Sequence, residues 1–459
     1  MKIPLPPPEL SELLPKLGMT QLHRVLSREL GPLVGGRYFH WDELRHRTPP
    51  AGLSHEAWWA GIKIARQGLL RALPFQDKLK RPVLFGMPDP VLRVLHGIDR
   101  RVGGAVTMEK PMVSSEDRDR YLVSSLIEEA ITSSQLEGAA TTREEAKAML
   151  RSGRKPRDRS ERMIVNNFRV MEHIRELRDE ALTPKIVLAM HRIVSQDTLD
   201  DPSAVGRLRR PNEKIIVMDA TRSHVLHEPP PANTLPQRLE RLCAFANETD
   251  GEPFVHPVVR AVLLHYMVGY DHPFVDGNGR TARALFYWSL ARSGYWLMEY
   301  ISISSLLKQA PAQYGRAYLH SETDDNDTTY FILHQLSVIE RAIKALYEYL
   351  AHKTSEQRSA ERLLRHAPRL ADQFNYRQTA LLTHALKHPG HDYTVESHRR
   401  SHQVTLQTAR TDLLTLAKLN LLEQGKRARA LVFYAPADLR ARIESAARKP
   451  VRRRREITK

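Results

Sequence analysis

Cysteine is almost absent: Cys243 is the single one in 459 residues. One thiol cannot close an intramolecular disulfide or build a cysteine-based zinc cluster, which agrees with a reducing compartment. In the context RLCAF it reads as a small core residue. Long apolar runs are missing as well, since none approaches the roughly 18–20 residues that a membrane span requires. The N-terminal stretch MKIPLPPPELSELLPK has no apolar segment of the secretory type. A cytoplasmic location and no membrane partner are therefore expected. Acidic residues are in deficit, 53 against 70 basic ones, for a formal net charge of +17. That balance points to anionic partners such as nucleotides or nucleic acid. Part of the excess sits in Arg448, Lys449 and Arg452 to Arg455, which reads as a solvated basic tail over 441–459.

What is present fits a globular protein of two or three domains, with 41% hydrophobic and 27% charged residues. Residues 1–112 carry proline- and glycine-rich stretches (PLPPPEL, RTPPAGL, FGMPDP) between amphipathic segments, and read as an irregular, mostly helical extension. Helical periodicity then runs from about Asp117 to residue 350, broken mainly at 201–236. In that break, a β-type run at Lys214 to Met218, a turn at Asp219 to Ser223 and a second run at His224 to His227 predict a hairpin flap on a helical body. Pro229 to Pro231 stiffen its exit, and a helix begins near Pro236. A charged helical linker covers 351–373. Over 374–440, three helices precede two strands, LLEQ and ALVFYAP, around GKRAR, with HPGHDYT as a turn. This order resembles a winged helix-turn-helix, with Thr405 to Leu419 as recognition helix and Gln407, Thr408 and Arg410 toward a groove. Duplex DNA and a protein surface are both open as its partner, because fold does not fix function.

The densest chemistry lies in DHPFVDGNGRTAR, Asp271 to Arg283. The preceding helix carries apolar residues Val259, Val262, Leu263, Tyr266 and Met267 at helical spacing, with Pro257 in its first turn. The following one has Leu285, Trp288 and Ala291 as an inward face and stops at Gly294. The loop 272–279 is thus delivered to a helix N-terminus, where unpaired N–H groups attract anions. Gly277 and Gly279 let backbone approach a phosphate closely. Arg280 and Arg283, three apart, reach one polyphosphate. Asp276 is placed to hold a magnesium ion, and His272 to take a proton near neutral pH. Taken singly, Asp-Gly-Asn-Gly is a common turn and surface arginines are ordinary; the conjunction is what turns alone do not supply. A calcium loop fails, because the twelfth position from Asp276 is Tyr287. His256, His265 and His272 lack zinc-ligand spacing.

His272 to Arg283 matches the Fic signature HPFx(D/E)GNGRxxR at every defined position, and the chain resembles that family over roughly 115–350. The fold class implied is all-α: a Fic helical core with a β-hairpin flap, covering 113–350, here followed by the winged helix. The resemblance implies transfer of AMP from ATP to a hydroxyl of a target protein, the chain itself included among candidate targets. It implies that His272 deprotonates the hydroxyl and Asp276 binds Mg2+. Asn278 and the loop amides of Gly277 and Gly279 hold the α-phosphate, while Arg280 and Arg283 hold the outer phosphates. The flap, Ile215, Ile216, Val217 and Met218, aligns the target segment by strand addition. Many relatives dimerise through this core, so a homodimer is a further expectation. One stretch departs from the family: in SSLLKQAPAQYGRAY, Ala310 and Pro311 stand where Asn-Arg would fall, and Tyr314-Gly315 where paired tyrosines would flank the adenine.

A second feature lies upstream. In DRDRYLVSSLIEEAITSSQLEG (residues 117–138), Leu122, Leu126, Ala130 and Ser133 form one stripe that continues to Glu137, with Gly138 as the stop. Residues alone allow a solvated last turn, or an inward acid that needs a partner. Ser133 to Gly138 resembles the inhibitory motif (S/T)xxxE(G/N) of autoinhibited Fic proteins. This implies that Glu137 occupies Arg283 and denies it to a phosphate. The same resemblance leaves open removal of AMP, with Glu137 positioning a water. From a different class, the chain could be a DNA-binding regulator whose core senses nucleotide.

Overall fold

The computed structural model describes residues 3–27, 30–102, 115–219, 223–248, 253–365, 374–402, 404–427 and 430–448. The chain divides into two compact units, Met1–Leu346 and Tyr347–Lys459. Helices of eight or more residues are labelled in order, beginning with α1 (Met19–Leu26), α2 (His55–Gln67) and α3 (Asp89–Val102). Between α2 and α3 lies an antiparallel hairpin, β1 (Leu70–Gln76) with β2 (Pro82–Gly86). The expectation of a mostly helical extension missed this pair. Its strands also take the alternation of buried and exposed side chains at Leu73, Pro74, Phe75 and Gln76 that a half-buried strand shows.

Nor is 1–112 a separate body, because polar contacts tie it to the later helices. Lys63 on α2 bonds Asp324 at 2.6 Å and Asp325 at 2.9 Å. Tyr38 donates to Asp327 at 2.5 Å, and Arg66 bonds the Tyr330 hydroxyl at 2.7 Å. Asp324, Asp327 and Arg66 are all buried. The boundary drawn at 112 is thus a composition boundary, crossed by long-range ion pairs that a composition scan cannot see.

The central helices are α4 (Ser115–Leu136), α5 (Arg143–Ser152), α6 (Arg159–Glu176), α7 (Pro184–Ser195), α8 (Leu235–Asn247), α9 (Pro257–Asp271) and α10 (Asn278–Arg292). Pro257 occupies the first turn of α9, and the His256 ring accepts from the Val258 N–H at 3.3 Å. Thirteen residues of α9 and twelve of α10 are buried, so this pair forms the middle of the unit. On α4, Leu122, Leu126, Ala130 and Ser133 are buried as the stripe predicts. Glu129, one turn before Ser133, is buried but satisfied: Tyr287, Ser302 and Ser304 all donate to its carboxylate.

The flap is a short antiparallel pair, β3 (Val217–Met218) with β4 (Val225–His227). The run expected at 214–218 thus shrinks to two paired residues. The proline series 229–231 that follows β4 offers no N–H groups to extend the ladder. Asp219 receives the Ser223 N–H at 2.7 Å, and residues 220–222 of the expected turn lie outside the described residues. Two helices complete the unit: α11 (Pro311–Thr323) and α12 (Thr329–Arg365), the latter carrying the chain into the second unit.

In the second unit, α13 (Tyr376–Lys387), α14 (Val395–His402) and α15 (Leu406–Lys418) accompany a three-stranded sheet. Its strands β5 (Asp392–Thr394), β6 (Glu423–Arg427) and β7 (Ala430–Tyr434) lie in the order β5-β7-β6. Three expectations change here. HPGHDYT contains the edge strand β5, not only a turn. The strand expected at LLEQ begins two residues later, because Leu421 and Leu422 are core residues. Residues 441–448 of the expected tail instead belong to a helix, α16 (Leu439–Arg448), whose Leu439 and Ile443 enter the same core. Residues 449–459 of the tail and 366–373 of the linker lie outside the described residues.

Removing Lys63 would leave the Asp324 carboxylate buried without its ammonium. Lys63→Met should therefore lower the unfolding free energy by about 3–5 kcal/mol, read as a shift in urea midpoint. An unchanged midpoint would show that the ion pair does not hold the N-terminal segment in place.

Candidate active site

The loop between α9 and α10 begins with His272 in a left-handed conformation, φ 42° and ψ 57°, at the C-terminus of α9. A non-glycine residue there is strained unless its surroundings hold it. Arg209, a residue that sequence reasoning passed over, supplies that hold. Its N–H donates to the Pro273 carbonyl at 2.9 Å and its Nε to the His272 carbonyl at 2.8 Å. The imidazole is oriented too: Nδ1 lies 2.5 Å from the Gly269 carbonyl, a partner that can only accept. Nδ1 therefore carries the proton and Nε2 presents its lone pair. Burial pulls the His272 pKa below its ordinary value, so the base form prevails at neutral pH.

The rest of the loop is shaped from inside. Asn278 accepts the Phe274 N–H and donates to the Phe274 carbonyl, both at 2.9 Å, closing the loop on itself. Its side chain is thereby spent on loop geometry, and what remains to face an anion is backbone. His191 on α7, also unforeseen, stacks on Phe274 at 3.7 Å between ring centres. Its Nε2 bonds the Asp276 carbonyl at 2.9 Å, and its Nδ1 accepts the Gly206 N–H at 3.1 Å. This residue could have been found only as a histidine on an apolar helix face. Gly277 has φ 84°, a left-handed backbone that favours glycine, while a Cβ there would make only an ordinary contact with the His191 ring at 3.4 Å.

The two arginines separate. Arg280 is fully buried beneath the loop, with Nη1 on the Val194 carbonyl at 3.0 Å and Nη2 3.4 Å from Asp276. Its Nε has no hydrogen-bond partner among the described residues. Asp276 itself is partly exposed, and no group of three metal-ligating side chains occurs among the described residues. Arg283 is held from across the unit by the end of α4. Its Nε bonds the Ser133 hydroxyl at 2.7 Å and Nη2 the Ser133 carbonyl at 3.1 Å. The same Nη2 bonds Glu137 at 2.7 Å. Arg283 beside Glu137 holds the carboxyl below its ordinary range against the opposing effect of burial. Gly138 follows at φ 94°. A Cβ at Gly279 would collide with Glu137 Oε1, so that glycine is what lets the acid lie over the start of α10.

Of these groups, Glu137, His272 and Gly279 open on one cavity of about 260 Å³, together with Tyr314, Gly315 and Tyr318 and with Val217, Leu226 and His227 from the flap, whereas Asp276, Gly277, Asn278, Arg280 and Arg283 do not line it. Of the four flap residues expected at the site, Val217 alone lines it; Ile215, Ile216 and Met218 do not, and Ile216 is exposed. Tyr314 bonds His265 at 2.8 Å. Tyr318, one turn on, stands on the same wall as Tyr314 where Gly315 offers no side chain; its spacing of four could have revealed it. His227 was missed as well. Its Nε2 lies 2.7 Å from the Tyr270 carbonyl and its Nδ1 2.7 Å from Glu322, which clamps the flap to the end of α9 and to α11.

The sequence pattern of the Fic/DOC family matches residues 181–290, which include α9, the loop and most of α10. The chain contains a Fic domain. It is 37% identical over 114 residues to "Protein adenylyltransferase Fic" of Drosophila melanogaster, covering 25% of this chain and 21% of that one. It is 33% identical over 118 residues to the protein of the same name from Nematostella vectensis, covering 26% and 25%. The similarity thus spans about a quarter of the length of these curated relatives. Among solved structures, a Fic family protein from Desulfovibrio desulfuricans superposes with a TM-score of 0.51 at 18% identity, over 76% of this chain and 96% of that one. The mostly helical Fic fold therefore extends beyond the segment of sequence similarity.

His191 offers a pH test of the loop. Burial depresses its pKa from 6.5 to about 4, so the folded chain keeps it neutral while the unfolded chain protonates below pH 6.5. The unfolded state gains the proton first, and stability falls as pH drops from 6.5 toward 4, by about 3 kcal/mol from this residue. Above pH 6.5 the residue adds no pH dependence. In His191→Asn the slope of unfolding free energy over that window should flatten, whatever the baseline loss. An identical slope would show that His191 does not titrate with folding.

Proposed function

We propose that this chain is a protein adenylyltransferase that moves AMP from ATP to a side-chain hydroxyl of a target protein and is held inactive by Glu137. The observation that carries the reading is the competition at Arg283: one buried guanidinium, one carboxylate already on it, and a cavity beside both that contains His272. The names of the curated relatives support the nucleotidyl transfer at the level of the domain.

In the proposed reaction the target hydroxyl enters past the flap, with Val217 and the exposed Ile216 offering a strand edge. His272 Nε2 takes its proton as the oxygen attacks the α-phosphorus. The new O–P bond forms as the bond to the bridging oxygen breaks, and pyrophosphate leaves. Backbone N–H groups at the start of α10 and the helix dipole face the α-phosphate. Arg283, once free of Glu137, takes an outer phosphate; Arg280, buried under the loop, adds positive potential from below. The half-exposed Asp276 fits a single-carboxylate site for Mg2+, an ion that commonly takes one or two carboxylates and completes its shell with phosphate and water. When bound, the ion would neutralise charge on the leaving phosphates. Adenine lies against Tyr314 and Tyr318.

Glu137 inhibits by occupying the fork that the phosphate needs. A charge-assisted bond of this kind contributes on the order of 1.5–3 kcal/mol, enough to change productive occupancy by about ten- to a hundredfold. Removal of AMP would use the same cavity by a different step: a water held by Glu137 attacks the phosphorus, the bond to the target oxygen breaks, and AMP and the protonated hydroxyl are released. For the second unit, the helix order and the exposed Gln407 and Arg410 on α15 support a winged helix that reads DNA.

The test is transfer of label from ATP carrying radioactive phosphorus at the α or the γ position. In Glu137→Gly, α label but not γ label should appear on protein at about ten to a hundred times the wild-type rate, and Glu137→Gly with His272→Ala should show none. Binding of ATP without labelling in every variant would defeat the reading.

A further inference from the structure

The nucleotide cavity occupies only one side of α11. Tyr314, Gly315, Tyr318, Leu319 and Glu322 line it. At about 100° per residue these lie within one half of the helix circumference. Gln313, Arg316, Ala317 and His320 fall on the other half, and they line a second, larger cavity of about 500 Å³. Its remaining walls come from the N-terminal segment, through Arg37, Tyr38 and Glu43, and from α12, through Tyr330 and His334. All of these residues belong to the first compact unit.

The lining is built for a polar guest. Arg37 and Arg316 are exposed, and neither forms an ion pair among the described residues. Arg37 rests on the Phe39 ring at 4.5 Å, which supports it without using its donors. Deeper in, His320 is buried and stacked on His40 at 4.3 Å. Its Nε2 has no hydrogen-bond partner among the described residues, nor has His334 Nδ1. Buried polar atoms are ordinarily paired, and these two ring nitrogens, closed off from solvent behind one cavity wall, leave that wall with unused hydrogen-bonding capacity. Tyr38 and Tyr330 add flat aromatic surface. Two guanidinium forks outnumber the single lining carboxylate, Glu43. The volume lies in the range usual for small-molecule sites.

We infer that the cavity between α11, α12 and the N-terminal segment is a second ligand site, selective for a small phosphate-bearing molecule. Arg37 and Arg316 take the phosphate by bidentate donation, while His320 and His334 meet the polar body of the ligand. A planar carboxylate could use the same forks, and it differs in charge and in the number of oxygens. The site is independent of the transferase reading: it uses neither His272 nor Arg283.

Isothermal titration of the full chain with inorganic phosphate, in parallel with acetate, tests this. Arg37→Gln with Arg316→Gln removes both forks, and Ser337→Trp places bulk at the rim of the same cavity without changing charge. All three positions are exposed, so the fold should survive, which a thermal melt checks. Phosphate should bind wild type and Arg283→Ala alike, and at least tenfold more weakly in the double variant and in Ser337→Trp. Acetate should bind at least tenfold more weakly than phosphate. Loss in Arg283→Ala would assign the phosphate to the nucleotide cavity and overturn the proposal. Unchanged binding in either cavity variant, or equal binding of acetate, would also overturn it.

Discussion

The site turns on a single buried guanidinium. Arg283 is 2% exposed on a helix that is buried nearly all round. A charge in that position must be paired. The end of α4 meets the requirement with Ser133 and Glu137, while a phosphate would meet it with its own oxygens. Both would satisfy the same electrostatic demand, so under the proposed function the carboxylate and a phosphate become alternatives. Glu129, anchored by Tyr287, Ser302 and Ser304 two turns earlier, fixes where α4 must end. The contact between Glu137 and Arg283 is therefore a consequence of how α4 docks, and not of Glu137 alone.

Around that pair, buried histidines act as neutral connectors. His191 joins α7 to the loop, and His265 joins α9 to Tyr314. Burial pushes their pKa values down to about 4 and about 3. A neutral imidazole offers one donor and one acceptor, which suits a connector that fixes backbone geometry without placing a charge in the interior. His272 follows the same rule with a different result. Its Nδ1 is committed to Gly269, and the nitrogen left over is the one that can take a proton.

Much of this was legible in the order of residues. The conjunction of His272, Asp276, two glycines and two arginines depends on neighbours in the chain, and local spacing carries it faithfully. The stripe Leu122, Leu126, Ala130, Ser133 also follows from helical periodicity alone. What periodicity could not reveal were the residues that act from afar. Arg209, His191 and His227 hold the loop or the flap through partners 63, 85 and 43 or more positions away. The hairpin β1–β2, the edge strand β5 and the helix α16 were missed for a related reason: each is short, and each is stabilised by burial against distant elements more than by its own pattern.

Sequence by itself determined the loop between two buried helices and the helix that ends just before Glu137, because those depend on local geometry: a turn, a helix N-terminus, a spacing of three or four. Tertiary structure decided how their residues divide the work. It buried Arg280 beneath the loop and gave Arg283 to Glu137. It turned Asn278 inward as a staple and set two cavities on opposite faces of α11. The physical reason is desolvation: the role of a charged or polar group depends on which partners remain once water has been removed, and those partners come together only when the chain folds.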